Sequence, residues 1–151
     1  MPWMAKSDVV NTMLKKMITT LFKNYLTGFK AYQLEKVIAC YHLPCTLHTP
    51  DKVVLLNKHN DCLQEFGDIF SQLQDANTQN IKAITASYTA ITEQVILVSI
   101  DWAFIDNKNE VFADFCAIYH LIDIDGEYKI INVVSHELSN SLTLEQPLFL
   151  A

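Results

Sequence analysis

The first part of the chain repeats apolar residues at the three- and four-residue spacing of amphipathic helices. Residues 7–32 form the longest such stretch, with Ser7 or Asp8 as the expected capping residue. Its apolar stripe comprises Val10, Met13, Leu14, Met17, Leu21, Tyr25 and Phe29. Residues 33–41 predict a second, shorter helix. Pro44 ends any helical continuation, because proline lacks an amide hydrogen and restricts the residue before it.

Two short strands and a third helix are predicted next. Residues 45–49 and 52–57 form the strands, and Pro50 with Asp51 marks the turn between them. Residues 59–76 predict the helix, whose apolar face comprises Cys62, Phe66, Ile69, Phe70 and Leu73.

The pattern then changes to β-branched and aromatic residues separated by short polar turns. Residues 81–92, 94–106, 110–123 and 127–137 predict four long antiparallel strands. The fold class is therefore α+β, with the helices covering one face of a strongly curved sheet. Residues 138–151 fit two interpretations, an extension that docks on a partner or a loose terminus.

Strand alternation separates an apolar face from a polar one. A two-residue turn between Asp106 and Asn109 would place Trp102 opposite Ala113 and Ile96 opposite Tyr119, on an apolar inner face. The same register places two acids, Asp101 and Asp114, opposite each other on the outer face, and also Ser99 opposite Cys116. Opposed carboxylates repel, so this face is expected to meet water.

Length and charge exclude several classes of function. The 151 residues suit one domain, with a core at about residues 7–137, and half of them are apolar. The formal charge is −6 and all eleven basic residues are lysine, which disfavours nucleic acid and anionic membranes as partners. Lys15 and Lys16 interrupt any signal-peptide core, and no apolar run approaches the roughly 20 residues of a membrane helix. A cytoplasmic protein with free thiols is expected.

Two constellations of reactive side chains compete for a chemical role. Cys40, His42, Cys45 and His48 are zinc-ligand types, but all four lie within nine residues, without the two separated pairs of a closed site. We therefore expect no metal and no cofactor.

Asp101 with Asp114 would be an acid/base pair only away from solvent. His120 is expected to point outward beside Tyr119. Cys116 lies on the outer face without a basic partner to activate it.

The order of elements resembles the nuclear-transport-factor-2-like superfamily, also called SnoaL-like. "NYLTGFKAYQLEKVIACY" is similar to its helix-loop-helix opening and "DIDGEYKIINVVSHE" to its closing strand, and the resemblance covers about residues 7–137. It implies a cone-shaped, curved, mostly antiparallel sheet wrapped around the three N-terminal helices, with a pocket at its wide end. It also implies a homodimer formed through the outer sheet face. Members include ketosteroid isomerases, dehydratases, epoxide hydrolases, polyketide cyclases and non-catalytic binding or assembly domains, so the fold alone assigns no activity.

The steroid isomerase branch allows a comparison residue by residue. It uses a helix tyrosine, an aspartate base after the first strand and a second acid on a later strand. The resemblance aligns Tyr25, Thr49 and Tyr119 with these positions. A threonine hydroxyl is too weakly acidic to act as a base near neutral pH, so catalysis of that kind is not expected and enzyme status stays open.

The resemblance implies a pocket for a small hydrophobic or polyketide-like molecule. Tyr25 and Tyr119 would donate hydrogen bonds to it, Tyr41 and Trp102 would form walls, and Thr49 would add a polar contact.

Two alternatives to the binding protein remain. An isomerase, cyclase or dehydratase would need His136 or His48 turned inward, and the catalytic candidates are then Tyr25, Tyr119 and His136. A non-catalytic dimeric assembly domain needs neither a pocket nor a titratable group inside it, and a cone filled by Phe and Tyr side chains or by residues 147–151 would favour it.

Overall fold

The structure is a computed structural model, and it describes residues 8–150. Within this range the helices are α1 (Asp8–Lys30), α2 (Leu34–Ile38) and α3 (His59–Asp75). The strands are β1 (Tyr41–His48), β2 (Val53–Leu56), β3 (Thr78–Ala90), β4 (Val95–Asp106), β5 (Val111–Ile124), β6 (Glu127–His136) and β7 (Gln146–Leu148). The predicted third helix and four long strands are all present. Ser7, one of the two expected capping residues, lies outside the described range.

The strands form one curved sheet in the order β2-β1-β6-β5-β4-β3-β7. All neighbouring pairs are antiparallel except β1 with β6, which are parallel. The helices pack on the inner face, which confirms the predicted α+β cone. The sheet does not close into a barrel, because β2 and β7 remain as its two edges. No helix in residues 8–150 is long and apolar enough to span a membrane.

The predicted inner face is the core of the molecule. Alternate residues of β4, from Ile96 to Trp102, are buried together with Tyr119 and Leu121 of β5. Ile18 and Phe22 of α1 are fully buried against them. Burial of this apolar surface is the main force that holds the helices on the sheet.

The predicted β4–β5 register is wrong by two residues. Trp102 lies opposite Phe115, and Asp101 lies opposite Cys116 rather than Asp114. The loop holds three residues, since the Asp106 amide bonds to the Glu110 carbonyl, and a bulge between Phe104 and Ile105 adds the second residue. A shift of two preserves the alternation, so the inner and outer faces are still those predicted.

β1 begins four residues earlier than predicted and contains Pro44. Its pairing with β6 is irregular between Tyr41 and Thr46, and its pairing with β2 begins at Cys45. Pro44 therefore lies where no ladder hydrogen bond needs its missing amide, a position that sheets tolerate.

The C-terminal segment, residues 138–150, lies on the protein's own sheet, which neither interpretation of it anticipated. β7 pairs with β3, and both Leu148 and Leu150 are buried. The Ser99 hydroxyl donates to the Leu142 carbonyl at 2.7 Å, and the Leu144 amide donates to Ser87 at 2.8 Å. The segment thus covers the β3–β4 part of the outer face.

Candidate functional site

A cavity of about 180 Å³ lies between the helices and the inner face of the sheet. α1 supplies Tyr25 and Phe29, and α3 supplies Phe66. The sheet supplies the opposite wall. The remaining apolar and aromatic lining is Leu26, Tyr41, Leu47, Val54, Ile69, Ile81, Trp102, Phe104, Phe115, Tyr119 and Val133.

The aromatic wall is a packed cluster. The Tyr25 ring stacks on Trp102 with centroids 6.0 Å apart, and the Phe22 ring meets Tyr119 edge-on at 4.9 Å. The Tyr41 ring lies 5.0 Å from Phe66. Such pairs add specific geometry to hydrophobic burial, so the cluster gives the cavity a rigid wall.

A chain of hydrogen bonds runs through this wall. The Trp102 indole N–H donates to the Tyr119 hydroxyl at 2.9 Å, and that hydroxyl lies 3.3 Å from the hydroxyl of Tyr25. An oxygen that already accepts the indole proton can donate its own proton to Tyr25. Tyr25 and Tyr41 are also hydrogen-bonded to each other, so the chain ends at this pair of phenols. One of their two protons is then available to an oxygen of a bound molecule.

The phenols of the cavity are neutral hydrogen-bond donors. Burial raises the pKa of Tyr25, Tyr41 and Tyr119 well above the ordinary tyrosine value, and their mutual proximity adds to the effect for all three. The cavity therefore presents hydroxyl groups and not phenolates.

Polar side chains border the cavity apart from the aromatic wall. They are Thr49, Lys52, Glu65 and Ser135. The Lys52 ammonium lies 4.0 Å from the Glu65 carboxylate, and 63% of the Lys52 side chain is exposed against 19% for Glu65. Thr49 is held in the β1–β2 turn, where its amide donates to the Lys52 carbonyl at 2.9 Å. This border, unlike the tyrosine wall, carries charge.

The five residues expected to bind a ligand all line this one cavity: Tyr25, Tyr41, Thr49, Trp102 and Tyr119. Their roles toward a ligand remain predictions. The C-terminal segment does not enter the cavity, and the Phe and Tyr side chains leave space in it. A filled cone would have favoured the assembly alternative, which therefore gains no support here and stays a prediction.

Neither histidine of the enzyme alternative faces the cavity. Leu47 and Thr49 line it, so His48 between them points outward and is exposed. Val133 and Ser135 line it likewise, which turns His136 to the outer face. There a ring nitrogen of His136 lies 2.9 Å from the Asn140 carbonyl oxygen.

The competing constellations do not form reactive sites. Cys40 and Cys45 are buried while His42 and His48 are exposed, and in residues 8–150 no three His, Cys, Asp or Glu side chains are placed to hold one metal ion. Burial raises the pKa of Cys40 to about 11 and that of Cys45 to about 12, so both are thiols at neutral pH.

Asp101 and Ser99 on the outer face form hydrogen bonds with the C-terminal segment. Asp101 accepts hydrogen bonds from Ser141 at 2.7 Å and from Thr85 at 2.8 Å. The Cys116 sulfur lies 3.4 Å from the Ser99 hydroxyl beneath the same segment. Asp101 and Cys116, for which the sequence suggested no partner, thus have hydrogen-bond partners in the structure.

Sequence reasoning missed Glu65, a carboxylate that lines the cavity. The signal was present, because Glu65 lies three residues after Cys62 and four before Ile69, on the apolar stripe of α3. A charged residue on such a stripe faces the core or a cavity.

Two of three comparisons with known proteins found similarities. A family model described as NTF2-like protein (DUF6841) matches residues 15–138. The chain belongs to this NTF2-like family. A comparison with curated proteins returned no match.

Solved structures share the NTF2-like fold at low identity. An NTF2-like protein of unknown function from Shewanella oneidensis has a TM-score of 0.65 at 13% identity, covering 81% of this chain and 98% of the other. A structure described as a dehydratase of the NTF2-like family, from Streptomyces avermitilis, has a TM-score of 0.65 at 10% identity, with 85% and 97% covered.

A ketosteroid isomerase-like protein from Erwinia carotovora atroseptica has a TM-score of 0.60 at 13% identity, with 82% and 95% covered. At these identities the likeness concerns the fold and carries no activity to this chain.

Proposed function

We propose that this NTF2-like protein binds a small, apolar, single-ring molecule that carries an oxygen atom. The observation that carries the proposal is the aromatic cavity, where a chain of neutral hydroxyls is set in an otherwise apolar wall. Pockets for small molecules typically combine such a lining with few, well-placed polar groups.

The volume of the cavity limits the size of the ligand. At about 180 Å³ it is close to an engineered cavity of about 150 Å³ that takes up benzene, and below the roughly 300 Å³ at which pockets for larger ligands begin. A single ring with one or two substituents fits this space. A polyketide or a steroid exceeds this volume and would enter only in part.

The hydrogen-bonding groups favour an acceptor oxygen on the ligand. Tyr119 and Trp102 already bond to each other, so the remaining proton belongs to the hydrogen-bonded pair of Tyr25 and Tyr41. A phenol or ketone oxygen accepts such a proton, whereas a hydrocarbon of the same size cannot.

Calorimetric titration with phenol and with toluene tests this proposal. We expect phenol to bind more tightly than toluene, and Tyr25→Phe with Tyr41→Phe to remove most of that preference, about five- to tenfold in Kd, because the hydrogen bond to the ligand is lost. Tyr32→Phe is the matched control, because Tyr32 lies outside the cavity lining.

A second variant distinguishes the cavity from the surface. Ile69→Trp places a larger side chain in the cavity and should abolish binding, while Ile91→Trp, at an exposed turn, should not. Binding that survives Ile69→Trp would refute the proposed site.

A second candidate function is enzymatic and rests on Glu65. The carboxylate lines the same cavity as the phenols, so the cavity holds a titratable group although Thr49 occupies the aligned base position. A carboxylate and phenol donors together suit proton abstraction next to a carbonyl group.

Hydrogen–deuterium exchange at the methyl group of acetophenone tests the enzymatic candidate. NMR in D₂O should show exchange faster than the buffer rate with the natural protein and at the buffer rate with Glu65→Gln. If exchange occurs at the buffer rate with both proteins, the enzymatic candidate is refuted and the binding function alone remains.

A further inference from the structure

A second cavity, of about 490 Å³, shares no residue with the aromatic cavity. It lies between α1, the end of α2 and the beginning of β6. Its lining comprises Lys16, Met17, Thr20, Leu21, Asn24, Lys36, Ala39, Cys40, Gly126, Glu127, Tyr128 and Lys129. We call it the lysine groove.

The lysine groove is positive on a protein that is negative overall. Lys16, Lys36 and Lys129 come from three different elements, and Glu127 is the one carboxylate of the lining. The groove thus carries a formal charge of 3 − 1 = +2, while the whole chain carries −6. Like charges from separate elements repel each other, so an anion bound in the groove would stabilise this arrangement.

The pKa of the Cys40 thiol is affected by two of these lysines. Burial raises the pKa of Cys40 to about 11, and the ammonium groups of Lys129 and Lys36 oppose that increase. Both lysines therefore act on one point at the base of the groove.

One of the three lysines has a structural role. The Lys129 ammonium donates to the Ala39 carbonyl at 2.6 Å and lies 3.4 Å from the Glu127 carboxylate. Lys16 and Lys36 are exposed and form no ion pair within residues 8–150. Two cationic groups therefore face the groove without a counterion from the described part of the chain.

The floor of the groove is apolar. Met17 and Leu21 of α1 contribute to it, and the buried ring of Tyr128 forms its sheet side. An inorganic ion would leave this surface uncovered, whereas an anion with an apolar body would cover it.

We propose that the lysine groove binds a small organic anion, with its phosphate or carboxylate between Lys16 and Lys36 and its apolar part on Met17 and Leu21. The site is separate from the aromatic cavity and does not depend on the function proposed for it.

Titration of the ¹⁵N-labelled protein with phenyl phosphate, benzoate and inorganic phosphate, at ionic strength held constant with NaCl, tests this proposal. Phenyl phosphate or benzoate should give saturable shifts of the Thr20 and Gly126 amides, with inorganic phosphate weaker. The organic anion that binds more tightly identifies the headgroup.

A charge-reversed pair of variants provides the control. Lys16→Glu with Lys36→Glu should weaken binding at least about tenfold, because charged hydrogen bonds are lost. Lys23→Glu with Lys108→Glu makes the same change in net charge at positions outside the groove and should leave binding unchanged.

Three outcomes would overturn the proposal. They are shifts that do not saturate, equal weakening in both double variants, and inorganic phosphate binding as tightly as the organic anions. Shifts confined to Ile81 and Val133 would place the probe in the aromatic cavity and would likewise refute this site.

Discussion

Three buried phenols at the centre of the molecule determine how it responds to alkaline pH. Tyr25, Tyr41 and Tyr119 have pKa values raised mainly by burial, so the folded protein holds their protons more tightly than the unfolded chain does. Their contribution to stability is complete below the unfolded value of about 10 and is lost as the pH rises above it.

We expect these phenols to ionise only when the protein unfolds. Absorbance at 295 nm and far-ultraviolet circular dichroism, measured together against pH, should show most of the tyrosinate signal appearing with loss of structure. In guanidinium all six tyrosines should ionise near pH 10. Complete tyrosinate absorbance from a protein that keeps its native dichroism would contradict this account.

The residues of the cavity wall were predictable to different extents. Strand alternation alone predicts that Trp102 and Tyr119 face inward, because a two-residue shift in register leaves each side chain on the same face of the sheet. Tyr25 and Thr49 needed the family resemblance, since a tyrosine on an apolar stripe is ordinary core by itself. Glu65 was not predicted, because one carboxylate on an apolar helical stripe matches no site motif.

At the scale of elements, α1 and α2 approach each other at one glycine. A Cβ atom on Gly28 would lie 2.8 Å from Val37 Cγ2 and 3.1 Å from the Val37 amide nitrogen. In α3, a Cβ atom on Gly67 would meet nothing within 4 Å. An alanine at position 28 would therefore clash with Val37, whereas an alanine at position 67 would have free space around its methyl group.

We expect Gly28→Ala to lower the free energy of unfolding by about 1–3 kcal/mol, because the new methyl group overpacks this contact. Gly67→Ala should raise it by about 0.5–1 kcal/mol, because alanine favours the helix. Urea unfolding of both variants measures the difference. The same sign for both would show that the α1–α2 contact is looser than described.

The C-terminal segment gives a second comparison between neighbours. Leu148 of β7 is 5% exposed and Phe149 is 87% exposed. Leu148→Ala should cost about 2–5 kcal/mol in unfolding free energy, as for a buried leucine. Phe149→Ala should change it by less than about 0.5 kcal/mol. Equal effects in urea unfolding would mean that the segment does not lie on the sheet in solution.

Long elements were predictable where one pattern extends over many residues, as in α3 and the four long strands. The register of β4 and β5 was not, because a three-residue loop and a bulge leave no trace in the alternation. The position of the C-terminal segment depends on single hydrogen bonds, such as that from Ser99 to the Leu142 carbonyl, which no periodicity encodes.

At the scale of the whole molecule, the homodimer expected from the family resemblance remains a proposal. The C-terminal segment covers the β3–β4 part of the outer face, so β5 and β6 provide the surface that remains. Ile118 and Val134 lie opposite each other there on the outward side, both only partly buried.

We expect sedimentation velocity to show a dimer that Ile118→Lys dissociates, because the lysine would bring an unpaired charge into the interface. Ile91→Lys, at an exposed turn, should leave the dimer intact. A natural protein that sediments as a monomer at every concentration would refute this arrangement.

The central claim is that the aromatic cavity holds a single-ring molecule against the phenols of α1, β1 and β5. Intermolecular nuclear Overhauser effects with phenol test it most directly. We predict contacts from the phenol ring protons to the methyl groups of Ile81 and Val133, which line the cavity. Contacts to surface methyl groups alone, or none at saturating phenol, would contradict the account.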